Sequence, residues 1–498
     1  MPWRSLPHER ASSGPTCKLH VYPRWPETAT SWRRVARDSQ VRQKLGHLQL
    51  DVVRPRIVTS VQQVFTHSAA LPSSAASEQA PVAAPEVARD SGEHSGERKD
   101  NGLRSVPWVA STYYGEGLPY SIVHQVSAEL FTAFGASLAA IGYTSLYGLA
   151  WNFKFLWSPA VDHYGHKRSW VVGTQIALAL VIFAIAMPAQ VGDLKAVAWL
   201  LIPVSILAAT QDIAVDGFYL EALPDKRQAA YSGLRVGAYR IALLVGKGGL
   251  VVLAGLAGGW KAAFFAAAAM MLLLGVGHAL LLPRPAKAAR TDKHAFAAFI
   301  RAFLSFLRQP KVILVLAFIL TYRAGDALMF AMGTPFLKDL GLSLTQRGIV
   351  SGTWGTIASV GGAMVGGMIV SRLGLERTLR PIVLAQGFAI LLYAWLAHAR
   401  PSFTAIVAIV LIEQFVAGIG TAGLMVYLMR SCQGAYKASH FAIASALMSV
   451  GATIMGTVSG KLAARVGFPA FFLIAFAAAI PGMILSFFVP TKRADEAR

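Results

Sequence analysis

The sequence predicts an all-α membrane protein that crosses the bilayer about twelve times. Of its 498 residues, 55% are hydrophobic and 14% are charged, and the mean hydropathy is +0.50. Soluble domains carry charge on about a quarter of their residues. Apolar segments long enough to cross a bilayer as helices recur from Pro107 to Pro490. Helices suit this pattern because they satisfy their backbone hydrogen bonds internally.

The spans fall into two groups of six. We place spans one to six at about 107–131, 138–160, 169–189, 199–223, 229–257 and 260–283. We place spans seven to twelve at about 312–337, 344–370, 378–398, 402–430, 437–464 and 467–490. The predicted domains are therefore an N-terminal tail (1–104), an N-terminal half (105–283), a connector (284–311), a C-terminal half (312–490) and a C-terminal tail (491–498).

Residues 1–104 read as a disordered basic tail, because they are polar and show no sustained periodicity. No apolar signal-peptide core is present in this stretch. The tail is either an upstream mis-start of the reading frame or a cytoplasmic segment that contacts anionic lipid. The connector, 284–311, is basic, and its amphipathic part is expected to lie on the membrane surface.

Charge and cysteine content exclude several classes of protein. The net charge of +21 does not indicate nucleic-acid binding, because much of the excess of basic residues lies in the tail and in loops between spans. Two cysteines, Cys17 and Cys432, give no disulfide framework or metal motif. No nucleophile elbow, zinc set or phosphate-binding loop occurs. We therefore expect no nucleic-acid partner, no cofactor and no enzymatic activity.

Span four carries two acids inside an apolar run, Asp212 and Asp216. Their i, i+4 spacing places both carboxylates on one helix face, about 6 Å apart. A charge at mid-membrane costs at least about 2.5 kcal/mol. Two carboxylates in low dielectric cannot both ionise cheaply, so the pair is a candidate proton carrier. The alternative is that each acid only neutralises a basic residue on a neighbouring helix.

Span one is the most polar span. Gly115, Gly117 and Pro119 loosen the helix around Glu116, and such a helix must line an interior rather than face lipid. Glu116 is therefore a further candidate for proton coupling. A weak repeat supports two parallel halves, since the segment at 115–118 (GEGL) matches 325–328 (GDAL) about 210 residues later.

The loop after span two, Asp162-x-x-Gly165-x-Lys167-Arg168, resembles the loop signature of the major facilitator superfamily. The glycine lets the chain reverse tightly, and the cations stay on the cytoplasmic side. These four residues are candidates for gating, although His163 replaces the arginine that usually follows the Asp. The alternative is a generic basic turn.

A sharper resemblance is to the AmpG muropeptide permease family and its relatives, the acetyl-coenzyme A transporters. The segments that carry it are 114–119 (YGEGLP), 154–159 (KFLWSP), 209–216 (ATQDIAVD) and 237–240 (GAYR). The resemblance implies proton-driven import of anhydromuropeptides (GlcNAc-anhydroMurNAc peptides) from periplasm to cytoplasm during cell-wall recycling. Import of another anionic solute, such as acetyl-coenzyme A, a peptide or a siderophore, stays open.

Spans one, four, seven and ten are expected to line a central cavity between two rocking halves. Intramembrane cations suit the carboxylates or phosphates of an anionic sugar-peptide, and each can instead pair with a neighbouring acid. The candidate substrate-binding residues are Lys154, Arg240, Gln211, Tyr219, Tyr114, Arg323, Asp326 and Glu413.

Basic residues concentrate in the loops after even-numbered spans. The positive-inside rule then predicts a multi-pass protein of the bacterial inner membrane with both termini cytoplasmic. We expect a monomer in the lipid bilayer, with protons and one small anionic solute as its partners.

Overall fold

The computed structural model describes residues 105–256, 259–284, 301, 303–309, 311–432 and 437–491, and these form helices joined by short turns. The predicted tail at 1–104, most of the connector at 284–311 and all but one residue of the tail at 491–498 lie outside the described residues.

The first six spans are named α1–α6. α1 consists of Val106–Ser121, a π-helical turn at Ile122–Val126, and Ser127–Ala133. α2 is a chain of short pieces from Leu138–Tyr143 to Ser158–His163, interrupted by 3₁₀ turns. α3 to α6 are Lys167–Val191, Leu194–Ala222, Asp225–Leu243 continued through Leu244–Leu250 to Val251–Leu256, and Gly259–Leu281.

The last six spans are named α7–α12. α7 joins Val312–Tyr322 to Ala324–Asp339, and α8 joins Leu344–Arg347, a π-helical turn at Gly348–Trp354, and Gly355–Leu373. α9 and α10 are Leu375–Ala399 and Phe403–Ser431. Lys437–Leu485 is helical throughout except at Gly467 (φ 75°), which divides it into α11 (437–466) and α12 (468–485).

Within the described ranges, 9 helices are long and apolar enough to cross a membrane by length and composition. The count falls below twelve for three physical reasons. α1 is too polar, α2 is broken by 3₁₀ turns, and α11 and α12 run together across Gly467. The predicted all-α membrane fold is confirmed, and the predicted spans differ from the observed ones by only a few residues at each end.

Helix packing brings the polar spans into the interior. α1 packs against α5, and α3 packs against α4 and α6; α8 packs against α10, and the α11–α12 segment packs against α7 and α9. Large apolar side chains such as Leu273, Leu281 and Ile313 point outward and are 73%, 80% and 81% exposed. This inversion of the soluble pattern suits a protein with lipid as its surrounding solvent.

The turns define two ends of the helix bundle. We call the end that holds Asp162, Lys167, Arg168 and Arg430 the basic end. We call the end that holds the turns at Gly135, Gly192 and Gly341 the opposite end. These three glycines have φ between 71° and 91°, a left-handed conformation that favours glycine and lets the chain reverse between helices.

Candidate functional site

Asp212 of α4 forms an ion pair with Lys154 of α2. The two side chains are 10% and 19% exposed, so the pair is largely withdrawn from solvent. Glu116 of α1 lies close enough to Asp212 to interact with it electrostatically. Glu116, Asp212 and Lys154 thus come from three helices and lie close together. We call the three acids Glu116, Asp212 and Asp216 the acid cluster.

Asp216, one turn along α4, has a different set of partners. Its Oδ1 accepts hydrogen bonds from the Tyr113 hydroxyl at 2.7 Å and from Arg235 Nη2 at 2.6 Å. The Arg235 guanidinium also lies over the rings of Tyr113 and Tyr219, 4.3 and 4.4 Å from their centroids. Arg235 is therefore fixed by a charge and by two aromatic faces.

Arg235 is not among the site residues predicted from the sequence. Of the predicted cations, Lys154 pairs with Asp212, whereas Asp216 pairs with Arg235 and not with Arg240. α5 carries both arginines, five residues apart. Which of the two faces α4 depends on the rotation of α5 about its axis, and the sequence alone does not fix that rotation.

Small residues on α1 allow its close approach to α5. A Cβ on Gly117 would lie 2.8 Å from the backbone carbonyl oxygen of Tyr239, so only glycine fits there. The neighbouring Glu116 is 5% exposed. Within the described residues its Oε2 has no hydrogen-bond partner. An unsatisfied buried carboxyl oxygen is costly, and a proton on that carboxyl would lower the cost.

An aromatic cluster lies on α1, α2 and α5, consisting of Tyr120, His124, Trp151 and Tyr239. Tyr120 stacks on His124 with centroids 4.1 Å apart, and Trp151 packs edge-on to both rings at 5.3 and 4.8 Å. Tyr239 is 5.8 Å from Tyr120. All four side chains are only partly buried, so their faces border accessible space.

Arg240 of α5 and Arg323 of α7 lie close enough to Tyr120 to interact with it electrostatically. Arg323 makes a long contact to Asp326, with 3.5 Å between Nη2 and Oδ2, and its side chain is 30% exposed. Within the described residues, Arg240 has no ion pair or hydrogen bond. Two arginines from different halves of the chain thus stand beside one aromatic cluster.

The second half holds two buried acids. Asp326 accepts a hydrogen bond from Gln386 Nε2 at 2.7 Å, and Tyr322 donates to Gln386 Oε1 at 2.7 Å. Glu413 is 2% exposed and accepts from Gln414 Nε2 at 2.8 Å and from the Tyr393 hydroxyl at 3.4 Å. Neutral donors thus surround Glu413, whereas the two aspartates of α4 pair with cations.

Three further predicted solute-binding residues, Gln211, Tyr219 and Tyr114, lie on α4 and α1. Gln211 is fully buried, and within the described residues neither of its amide atoms has a partner. Tyr219 is 1% exposed, and its hydroxyl donates to the Gln228 carbonyl at 2.5 Å. The Tyr114 hydroxyl contacts Met270 Sδ at 3.4 Å. In this conformation Gln211 and Tyr219 are less accessible than the aromatic cluster, whereas Tyr114 is partly buried, as that cluster is.

The loop motif from Asp162 to Arg168 connects α2 to α3. Lys167 forms an ion pair with Asp162 and donates to the Val161 carbonyl at 3.1 Å. Arg168 donates to the carbonyl oxygens of Ala279 and Leu282 at the end of α6. Gly165 has a φ of 76°, which allows the reversal. The motif therefore ties α2, α3 and α6 together at the basic end.

Contacts between the first six and last six helices concentrate toward the opposite end. Arg347 Nε of α8 lies 2.9 Å from Glu129 Oε2 of α1, and the side chains are 3% and 1% exposed. Thr334 donates to Glu129 Oε1 at 3.0 Å, and Lys338 donates to the Thr132 carbonyl at 2.6 Å. We call the Glu129–Arg347 pair and these two contacts the interhalf lock.

Chemically, the arrangement has carboxyl groups that can take up and release protons, held in place by cations that protonation would release. It also has aromatic faces and arginines that suit a solute with rings and acidic groups.

Comparison with known proteins identifies the class. Residues 109–438 match the model of the Major Facilitator Superfamily. The anhydromuropeptide permease of Escherichia coli K12 is 31% identical over 378 residues, which cover 75% of this chain and 77% of that protein. The putative transporter AmpG 4 of Rickettsia conorii is 27% identical over 390 residues, covering 76% and 94% of the two chains.

Solved structures agree in fold. The nucleoside transporter NupG superposes with a TM-score of 0.59 at 16% identity, covering 78% of this chain and 98% of that one. A POT family transporter in complex with 5-aminolevulinic acid superposes with a TM-score of 0.60 at 15% identity, covering 77% and 96%. At such identities the likeness concerns the fold alone.

Proposed function

The chain belongs to the major facilitator superfamily and, within it, to the AmpG permease family, and from this premise we propose that it imports anhydromuropeptides with protons. Its relatives and fold are those of membrane transporters and not of enzymes. The proposed solute is a GlcNAc-anhydroMurNAc peptide, and the proposed membrane is the bacterial inner membrane.

The acid cluster is the observation that carries the proposal. Asp212, Asp216 and Glu116 lie together inside the bundle, and each aspartate is held by one cation. Uptake of a proton by Asp212 would release Lys154, and uptake by Asp216 would release Arg235. Either event changes which helices are tied to α4, because Lys154 lies on α2 and Arg235 on α5. Proton binding and helix rearrangement are thereby coupled.

The aromatic cluster and the two arginines support an anionic sugar-peptide as the solute. Partly buried rings of Tyr120 and Trp151 offer faces for a sugar ring. Arg240 and Arg323 offer guanidinium groups for peptide carboxylates. Arg240 comes from the first half and Arg323 from the second, so one bound solute would contact both halves.

We assign the basic end to the cytoplasm by the positive-inside rule, with both chain termini on that side. The interhalf lock then lies on the external side, and the described conformation is the one closed to the outside. We further propose that the transporter works as a monomer, with the two halves rocking about the solute.

Uptake by proteoliposomes that contain the purified chain, under an inward proton gradient, tests the proposal. We expect labelled GlcNAc-anhydroMurNAc-tripeptide to accumulate, and an excess of unlabelled muropeptide to compete. Acetyl-coenzyme A, a dipeptide and a siderophore should not compete at the same concentration. Strong competition by one of those solutes, without uptake of muropeptide, would assign the protein to that solute instead.

A further inference from the structure

Among the residues that the structure describes, a buried cation on α5 has no acidic partner. Lys247 is 8% exposed, and no carboxylate among the described residues lies within 4.0 Å of its amine. Its Nζ lies 5.4 Å from the centroid of the Phe330 ring on α7, across the boundary between the halves. A cation–π contact compensates only part of the cost of withdrawing an ammonium group from water.

The carboxylates that interact with Lys247 already have other partners. Lys247 interacts electrostatically with Glu129 and Glu413. Glu129 pairs with Arg347 and accepts from Thr334, while Glu413 accepts from Gln414 and Tyr393. The charge on Lys247 is therefore left without a direct counter-charge in this conformation.

The backbone around Lys247 is held firmly. It lies in the π-helical turn Leu244–Leu250 of α5, which faces the π-helical turn Gly348–Trp354 of α8. A Cβ on Gly352 would lie 2.4 Å from the Lys247 carbonyl oxygen, so the two turns are in backbone contact. This backbone contact fixes where the Lys247 side chain leaves α5, close to Phe330 of α7.

Lys247 is buried, but the Phe330 ring beside its amine is 52% exposed, so the amine lies next to a ring that borders accessible space. Lys247 also lies on the same helix as Arg240, seven residues further toward the opposite end. Seven residues make two helical turns, about 10 Å along the axis. A solute held by Arg240 beside the aromatic cluster would extend toward Lys247.

We propose that Lys247 is an anchor for a carboxylate of the transported solute, separate from the acid cluster and from Arg240. The inference rests on the proposed function and narrows it, because the solute must carry an acidic group about 10 Å from the group that Arg240 holds. A carboxylate at the amine supplies the missing counter-charge beside the Phe330 ring. The charge-assisted hydrogen bond also gives the site a preference for acids over amides.

Equilibrium binding to the purified full-length chain tests the anchor. The probes are GlcNAc-anhydroMurNAc-tripeptide and the same compound with its carboxylates converted to carboxamides. For the wild-type chain we expect the acid form to bind more tightly. Lys247→Gln and Lys247→Met should weaken binding of the acid form about tenfold to a hundredfold, the range for hydrogen bonds to charged groups, and leave the amide form nearly unchanged.

Two variants serve as controls. Lys247→Arg keeps the charge and should keep the preference for the acid form. Lys261→Gln removes a lysine that also lies over a ring, 5.6 Å from the Phe265 centroid, but that is exposed at the start of α6. It should bind both probes as the wild type does. Thermal unfolding in detergent checks that each variant is folded, and Met suits the apolar surroundings if Gln does not.

The outcomes separate this inference from the proposed function. If the wild-type chain binds both probes equally well, or if Lys247→Met weakens both to the same extent, the anchor is wrong while muropeptide transport stands. If the wild-type chain binds neither probe, the proposed function fails and the anchor fails with it. If the Lys247→Gln and Lys247→Met variants bind only the acid form more weakly, the anchor is supported.

Discussion

Asp212 and Asp216 lie one helical turn apart, yet each is held by a cation from a different helix. The i, i+4 spacing predicts correctly that both belong to one face of α4. It does not show that Lys154 and Arg235 divide them into separate ion pairs. Glu116, which lies near Asp212, connects the two pairs. The cluster is better described as three acids and two cations than as one pair that shares a proton.

Changing Asp212 to Asn tests the proton role. A gradient of one pH unit supplies about 1.4 kcal/mol per proton, enough for about tenfold accumulation of solute. We expect Asp212→Asn to lose gradient-driven accumulation in proteoliposomes and to keep exchange of labelled for unlabelled solute. The matched control is Asp193→Asn, the same change at the cap of the same helix, where Asn caps as well as Asp. Normal accumulation by Asp212→Asn would exclude the role.

Arg235 is expected to matter for stability as well as for function. Arg235→Ala removes the partner of Asp216 and leaves a buried carboxylate, at a cost of about 3 kcal/mol. Arg235→Lys keeps the charge but loses the flat contact with Tyr113 and Tyr219, so it should be intermediate. Thermal unfolding in detergent measures the order. Arg240→Ala should unfold near the wild-type temperature, and a larger loss for it than for Arg235→Ala would contradict the assignment.

Individual side-chain contacts were harder to predict than residue types. Lys154, Asp212, Asp216 and Glu116 are predicted from the sequence because ionisable groups inside a span are costly and therefore mark a function. Arg235 is not predicted, because the charge pattern of α5 does not reveal its rotation. Tyr120 and Trp151 are not predicted either, because the orientation of an aromatic ring depends on neighbouring helices.

At the scale of elements, glycine decides how α2 meets α11. A Cβ on Gly460 would lie 1.8 Å from the Leu138 carbonyl oxygen, and one on Gly142 would lie 2.9 Å from the Gly460 amide nitrogen. These helices belong to different halves, so their backbone contact joins the halves at the opposite end. Such close approach of small residues is a common way to pack helices in membranes.

Gly460→Ala should force α2 and α11 apart. We expect a loss of about 1–3 kcal/mol in the stability of this conformation, seen as a lower unfolding temperature in detergent. Gly277→Ala is the matched control, because a Cβ there meets nothing within 4 Å and alanine is the better helix former. It should leave the unfolding temperature unchanged or raise it. Equal temperatures for the two variants would mean that the α2–α11 contact contributes little.

The positions of the helices were predicted well, because the length of an apolar segment is a strong signal for a helix that crosses a lipid bilayer. The regular spans α3, α6, α9 and α10 lie where the sequence placed them. The breaks in α2 and the π-helical turns in α1, α5 and α8 were not anticipated. Such irregular turns depend on tertiary contacts, such as the one between Lys247 and Gly352, and composition does not reveal those.

At the scale of the whole transporter, the interhalf lock is expected to set which side is closed. Glu129 and Arg347 are almost fully buried, and they join α1 to α8. A buried ion pair adds little to the free energy of unfolding, because both charges lose their contact with water. Removing one partner, however, leaves the other as an uncompensated buried charge. The lock is therefore expected to influence the balance between two conformations more than the fold itself.

Glu129→Gln should open the opposite end. The loss of one partner costs the closed state about 3–5 kcal/mol, which is enough to shift a two-state balance strongly. The readout is labelling of Ser145→Cys by a membrane-impermeant thiol reagent, in a chain whose Cys17 and Cys432 are replaced by serine. Ser145 packs against Gly456 at the boundary between the halves. We expect faster labelling than in the chain that keeps Glu129.

Asp339→Asn is the control for the lock. Asp339 pairs with Arg400 at the same end, but those side chains are 38% and 60% exposed, so the pair contributes little. Labelling of Ser145→Cys should not change in that variant. Unchanged labelling in both variants would show that the Glu129–Arg347 pair does not control access.

The most direct test of the account is proton movement during transport. Proteoliposomes that contain the purified chain and an internal pH dye would receive labelled GlcNAc-anhydroMurNAc-tripeptide from outside. We predict that uptake acidifies the interior, and that a protonophore abolishes accumulation against a gradient. Solute uptake without any change in internal pH, at an undiminished level with the protonophore present, would contradict the account.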